Sequence, residues 1–227
     1  MTDSTGGGPG AKKPPAPVVT ISATYGAGGS VIAPLVAERL GLPLLNRLVS
    51  PEMAHLAGPA EHLSEGETQA TPQHRFFAYL AHAAPFGPTV PAPVTTADDD
   101  QLLRTRAESG IASLRRGGGG VVLGRAAAVV LAGRPFAYHV RLDGPRERRC
   151  RAACRIEGVT VEQAMTAQSE TDRARTAYVK RLYRTDPSDP KLYHLLIDST
   201  VLPVDSVADM IVMATRAAWD HEAAGRC

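Results

Sequence analysis

The run VVTISATYGAGGS, residues 18–30, decides the fold. Its first five residues are mostly apolar and β-branched, the composition of a strand buried on both faces. Gly26, Gly28 and Gly29 follow, and residues 31–40 then place apolar side chains at helical spacing until Gly41 stops them. Strand, glycine-rich turn and helix therefore follow one another directly. At such a helix start the unpaired backbone N–H groups and the helix dipole both favour an anion. A phosphate group suits that position, and so does a tight turn that holds no ligand.

Working outward, further strands are expected at residues 42–45, 121–123, 136–142 and 193–198, with a closing helix over 204–219. Strands alternating with helices predict an α/β fold, a parallel sheet covered by helices on both faces. Between the second and third strands the spacing predicts helices over 72–83 and 98–116, joined by the Pro/Ala-rich stretch APFGPTVPAP. A helical insertion is thus expected over 47–116. Residues 169–184 read as a second long, charged helix before the last strand, within a lid-like region at 155–185. Residues 1–17, rich in Gly and Pro, read as a disordered tail, so the folded domain is expected to span 18–227.

Composition narrows the function. The 227 residues are 44% hydrophobic and 21% charged, close to an ordinary globular chain. The formal charge is only +2, so any electrostatic function must come from local clustering. Aromatics make up 5% of the chain, and none alternates with the arginines of residues 141–155 as base-stacking platforms would. Nucleic acid is therefore not an expected partner. No apolar run reaches the roughly 18 residues of a membrane span, because Arg125 breaks the longest one. The start of the chain lacks the order of a signal peptide, and three cysteines are too few for a disulfide framework; a reducing cytoplasm is the expected setting. The seven histidines show no zinc-binding spacing.

Set against the phosphate-binding pattern G-x-x-x-x-G-K-[ST], the turn has Ala23 at the first Gly, Gly29 at the Lys, and Ser30 at the hydroxyl that reaches Mg²⁺. Arg125 falls just past the third strand, at the carboxyl edge where open parallel sheets bind ligands. Arg148, Arg151 and Arg155 are spaced to share one helix face. Asp143 ends the fourth strand, where it serves either a metal or the cap of the next helix.

Three stretches, VVTISATYGAGGSVIAPLVAERLGLPLLNR, GVVLGRAAAVVL and ETDRARTAYVKRLYRTDPSDPKLYHLLIDST, taken in order, resemble the cytidylate-kinase-like branch of P-loop nucleoside monophosphate kinases. The likeness runs from about Val18 to Met213 and is weakest over residues 51–97. It implies a P-loop kinase-type three-layer fold with a five-stranded parallel sheet, an acceptor-binding insertion and an arginine-bearing lid. It also implies ATP and Mg²⁺ as cofactors and nucleotide substrates, CMP or dCMP as acceptor. By resemblance Gly26, Ala27, Gly28, Gly29 and Ser30 hold the donor phosphates, with Ser30 at the metal, and Arg125 contacts the acceptor phosphate. Asp172 and Arg175 match the Asp-x-x-Arg of the lid, and Arg151, Arg173 and Arg175 are expected around the transferring group.

The departures are specific. The kinase Asp after Arg125 is Ala126, the Asp ending the second strand is Asn46, and the first lid arginine falls at Gln168. Gly29 removes the ammonium group, for which Arg47 or a lid arginine is the expected substitute. Two functions follow: phosphoryl transfer to a nucleoside monophosphate, or a non-catalytic nucleotide sensor on the same fold.

Overall fold

The computed structural model describes residues 16–46 and 97–225; the expected helix over 72–83 and Arg47 lie outside them. Strand β1 (Val18–Ala23) leads through the glycine-rich turn into helix α1 (Gly29–Leu40), which begins two residues earlier than its apolar spacing suggests. Strand β2 (Leu44–Leu45) is only two residues long. Helix α2 (Ala97–Arg116) precedes β3 (Gly120–Leu123) and the single-turn helix α3 (Ala127–Val130). Strand β4 (Ala137–Asp143) precedes α4 (Arg146–Glu157) and α5 (Val161–Tyr183). A short 3₁₀ turn, Pro190–Leu192, leads into β5 (Leu195–Asp198) and α6 (Val204–Ala224).

The five strands form one sheet in the order β2-β3-β1-β4-β5, and all four pairings are parallel. β1 lies at the centre. Val19 and Ile21 face α1 and α6 through Val36, Val207 and Ile211, while Val18 and Val122 pack on Ile111 of α2 and on Ala127 and Leu131. Both faces are covered, which is why β1 and β3 read as continuous apolar runs.

Three differences from the expected elements have local causes. β4 starts one residue late because Phe136 takes φ +57 and turns the chain; its carbonyl accepts from Trp219 Nε1 at 3.0 Å. α5 starts well before residue 169, on a capping box in which Thr160 Oγ1 and Gln163 serve each other's backbone amides. β5 is shortened because Tyr193 caps the 3₁₀ turn and sends its hydroxyl to the Pro187 carbonyl at 2.7 Å.

Among the described residues no helix is long and apolar enough to cross a membrane. Cys150 and Cys154 are both free thiols.

Candidate functional site

The turn between β1 and α1 has two differently held halves. Its second half is local. Gly28, at φ +72, caps α1, and its carbonyl accepts from the amides of both Val31 and Ile32. The amides of Gly29 and Ser30 make no hydrogen bond among the described residues, and the Ser30 side chain is exposed. These are the orphan donors of a helix start.

The first half is tied into the rest of the molecule. Tyr25 N donates to Asp172 Oδ1 at 2.8 Å, Tyr25 O accepts from Arg149 Nη1 at 2.7 Å, and Tyr25 Oη donates to Glu157 Oε2 at 2.5 Å. Burial, and then Glu157, push the Tyr25 phenol well above its ordinary pKa. Thr24 Oγ1 donates to Asp143 Oδ1 at 3.0 Å, and Ser199 Oγ to the Ala27 carbonyl at 2.8 Å. Gly26 stands at φ +75, and a Cβ there would lie 2.1 Å from the Arg149 carbonyl oxygen. Its close backbone approach is thus made to α4, whereas the sequence suggested an approach to a ligand.

Beside this half lies a cavity of about 360 Å³ over the carboxyl ends of β1, β3 and β4. Arg125, Arg141, Arg149 and Arg175 line it, with Asp143 and Asp172. Arg125, at φ +57, sends Nε to the Asn46 carbonyl at 3.0 Å, and burial lowers its pKa. Arg175 Nη1 donates to the Ala23 carbonyl at 2.8 Å, and burial brings its pKa down to about 10. Arg141 forks onto Asp143 Oδ2 through Nε at 3.1 Å and Nη2 at 2.9 Å, and its guanidinium lies 5.6 Å from the Tyr193 ring centre. Four arginines against two carboxylates leave a cationic cavity with largely apolar walls, suited to an organic anion.

Two expectations change in this setting. Asp143 accepts from Thr24, from the Gly144 amide at 2.9 Å and twice from Arg141, which fills the roughly four lone-pair positions of a carboxylate. Both of its oxygens are thus engaged within the protein, and it does not cap α4, whose N-cap is Pro145. Arg148, Arg151 and Arg155 point away from the cavity: Arg148 pairs with Asp198, and the other two are exposed.

Of the residues expected around the reaction, the fold brings Arg125, Asp172 and Arg175 to the cavity; Arg151 and Arg173 are exposed outside its lining. Gly26, Ala27, Gly28, Gly29 and Ser30 lie beside the cavity without lining it. Gln168 is fully buried, and Arg146 of α4 docks on it, Nε to Oε1 at 3.0 Å. Two lining arginines were missed. Arg149 had a signal: Ala152 and Ala153, three and four residues on, are small and apolar and mark the buried face of α4. Arg141 had none beyond its place near the end of a strand.

A magnesium-bound polyphosphate suits the turn: the Gly29 and Ser30 amides have no hydrogen-bond partner among the described residues, and Ser30, next to the buried Gly29, is exposed. Mg²⁺ habitually takes most of its ligands from phosphate and water. Among the described residues no group of three or more His, Cys, Asp or Glu could hold a metal by itself.

A family model, described as the cytidylate kinase-like family, matches residues 18–201. The chain belongs to that family. The matched span runs from β1 to the residues just after β5, so it contains the turn, the cavity arginines and α5. No curated protein is a significant match. Among solved structures, an uncharacterized protein from Eubacterium ventriosum is similar at 18% identity, covering 89% of this chain and 99% of that one, with TM-score 0.57. A gluconokinase from Sinorhizobium meliloti is similar at 15% identity, covering 90% and 95%, with TM-score 0.51. At these identities the likeness is one of fold, and the fold is that of the P-loop kinases.

Proposed function

We propose that this cytidylate kinase-like chain transfers a phosphoryl group from ATP to a nucleoside monophosphate, with CMP or dCMP as the acceptor. The observation that carries the reading is the convergence of Arg125, Arg149 and Arg175 on one cavity beside the open amides of Gly29 and Ser30. Phosphoryl transfer asks mainly for two anionic groups held in line and for fixed positive charge around the transferring oxygens.

In this arrangement the turn from Gly26 to Ser30 would seat the donor phosphates, and the Ser30 hydroxyl would help hold the metal. Magnesium, when bound with the nucleotide, would offset charge on the phosphates. Arg125 faces the acceptor phosphate from the end of β3. Arg175 holds positive charge between donor and acceptor, fixed by the Ala23 carbonyl, and Asp172 keeps the turn and α5 in register through the Tyr25 amide. Arg151 and Arg173 lie exposed, outside the cavity lining. Residues 155–185, mostly α5, act as the wall of the site that excludes water.

The test is ADP formation by the purified chain with ATP, Mg²⁺ and each nucleoside monophosphate in turn. Turnover with a cytidine acceptor above the others supports the reading; ADP formation with none removes it. A second reading, a nucleotide sensor without turnover, is favoured by Gly29 in place of the lysine and by the saturated Asp143. Its signature is a raised melting temperature with nucleotide alongside null turnover.

A further inference from the structure

The turn lacks the side-chain cation that a polyphosphate normally meets, because residue 29 is glycine. We propose that Arg149, reaching in from α4, supplies that cation, its Nη2 edge binding the outermost phosphate of a polyphosphate seated on the turn; this rests on the donor site proposed above.

Four observations support the assignment. Arg149 is only 8% exposed, and it lines the cavity. Its guanidinium bonds the backbone of the turn itself, at Tyr25 O, whereas Arg175 reaches the strand end at Ala23 and Arg125 reaches Asn46. Nε donates to the Gly144 carbonyl at 2.8 Å, and Nη1 serves Tyr25 O and Asp172 Oδ2, each at 2.7 Å. Nη2, with two N–H groups, makes no hydrogen bond among the described residues and is not sealed in protein. Three of the five donors thus fix the group, and two are left for a ligand.

Gly26 fits the same picture. It has no room for a Cβ because the backbone carbonyl of Arg149 occupies that space, so α4 is seated directly against the turn at the residue whose guanidinium bonds Tyr25 O. The carboxylates of Asp172 and Asp143, the latter 3.6 Å from Nε, hold the guanidinium without covering its Nη2 edge. A lysine at position 29 would swing to find the phosphate; Arg149 is already held in place and reorganises little on binding.

Calorimetric titration of the full chain with MgATP, and separately with sodium tripolyphosphate, tests this. Arg149→Gln is expected to weaken both probes by about ten- to a hundredfold, the range for a lost hydrogen bond to a charged group. Gly29→Lys in the Arg149→Gln background is expected to restore most of that loss, while Gly29→Lys alone improves binding far less. Position 29 has no positive φ to forbid a side chain. Melting curves check folding, and if Arg149→Gln does not fold, Arg149→Lys, which keeps the charge but not the Nη2 edge, replaces it in the cycle.

Unchanged affinity in Arg149→Gln overturns the proposal, as do effects of the two substitutions that multiply independently, or a wild-type chain that binds neither probe. A wild type that binds tripolyphosphate but forms no ADP removes the transfer reading alone, and the cycle still decides the role of Arg149.

Discussion

The β1–β4 pair carries two polar clusters of opposite kind. Midway along it, Thr20 Oγ1 meets His139 Nδ1 at 2.8 Å, with His194 stacked on His139 at 4.9 Å between ring centres. At its carboxyl end, Thr24 meets Asp143, which holds Arg141 and lies beside Arg149. The first cluster is buried at Thr20 and His139, with His194 exposed at its edge: His139 is 3% exposed, and burial, with His194 beside it, brings its pKa down to about 4. The second faces the cavity, and its groups stay charged because each has an opposite partner. Burial strips charge from one end of the pair and pairing preserves it at the other, so anion chemistry has a place only at the carboxyl end.

The largest expected effect tests how tightly that end is built. Gly26→Ala must place a Cβ at φ +75 and 2.1 Å from the Arg149 carbonyl oxygen. Left-handed strain and overpacking together are expected to cost about 4 kcal/mol in denaturant unfolding. Gly28→Ala, whose Cβ would meet the flexible end of Ile32 at 3.2 Å, is expected to cost about 1–2 kcal/mol. Equal losses would mean that α4 does not press on the turn.

Next is the buried His139, through pH. Between its ordinary value of 6.5 and its folded value of about 4, the unfolded chain binds a proton at His139 that the folded chain refuses. Stability therefore falls as the pH drops through that window, by up to about 3 kcal/mol, and this contribution is flat below it. The pKa of His194 is lowered too, chiefly by burial, and adds to the same slope. Unfolding free energies at pH 7.5 and 5 measure it, and His139→Gln is expected to flatten most of the difference. Asp143, held below the usual carboxylate range despite its burial by the Gly144 amide and Arg141, keeps its charge throughout, so the two ends separate on one pH axis.

A third test separates the two roles of Asp172. Asp172→Ala removes an acceptor from the Tyr25 amide and the partner of Arg149 Nη1. A loss of roughly 2 kcal/mol in stability is expected, together with weaker donor binding, because the guanidinium is no longer held in place. Weaker donor binding at unchanged stability would place Asp172 at the ligand and not at the turn.

Sequence revealed the scaffold more readily than the site. β1, β3, α1 and α6 were legible because burial on a sheet or against one helix face leaves a periodic apolar pattern, and Val19, Ile21, Val36 and Ile211 carry it. The turn was legible from its glycines, since no other residue takes such φ values cheaply. The partners of the turn were not. Arg149, Asp172 and Glu157 lie more than a hundred residues from Tyr25, and a charged residue on a helix reads as solvent-facing unless its small neighbours are weighed. Arg151 and Arg173, expected around the transferring group by resemblance, lie exposed outside the cavity lining. Arg125 was legible from its place at the carboxyl edge of the sheet, whereas Asp172 and Arg175 were found through the resemblance, since spacing alone does not separate a cavity arginine from an exposed one.

The smallest effect is the most selective. Tyr25→Phe deletes only the hydroxyl that donates to Glu157, leaving the ring in its cluster with Cys150, Ala153, Ala164 and Ala167. Glu157 is exposed and is rehydrated when its partner goes, so the cost is expected near 1 kcal/mol, a small shift in denaturation midpoint. The backbone bonds of Tyr25 to Asp172 and Arg149 do not depend on that hydroxyl, so polyphosphate affinity is expected to stay within about twofold of wild type. If affinity falls with the hydroxyl, the end of α4 at Glu157 is part of what positions Arg149, and the charged cluster extends a full helix length from the cavity. If it does not, the turn is held for binding by its backbone alone, and Tyr25 anchors α4 and α5 without tuning the site.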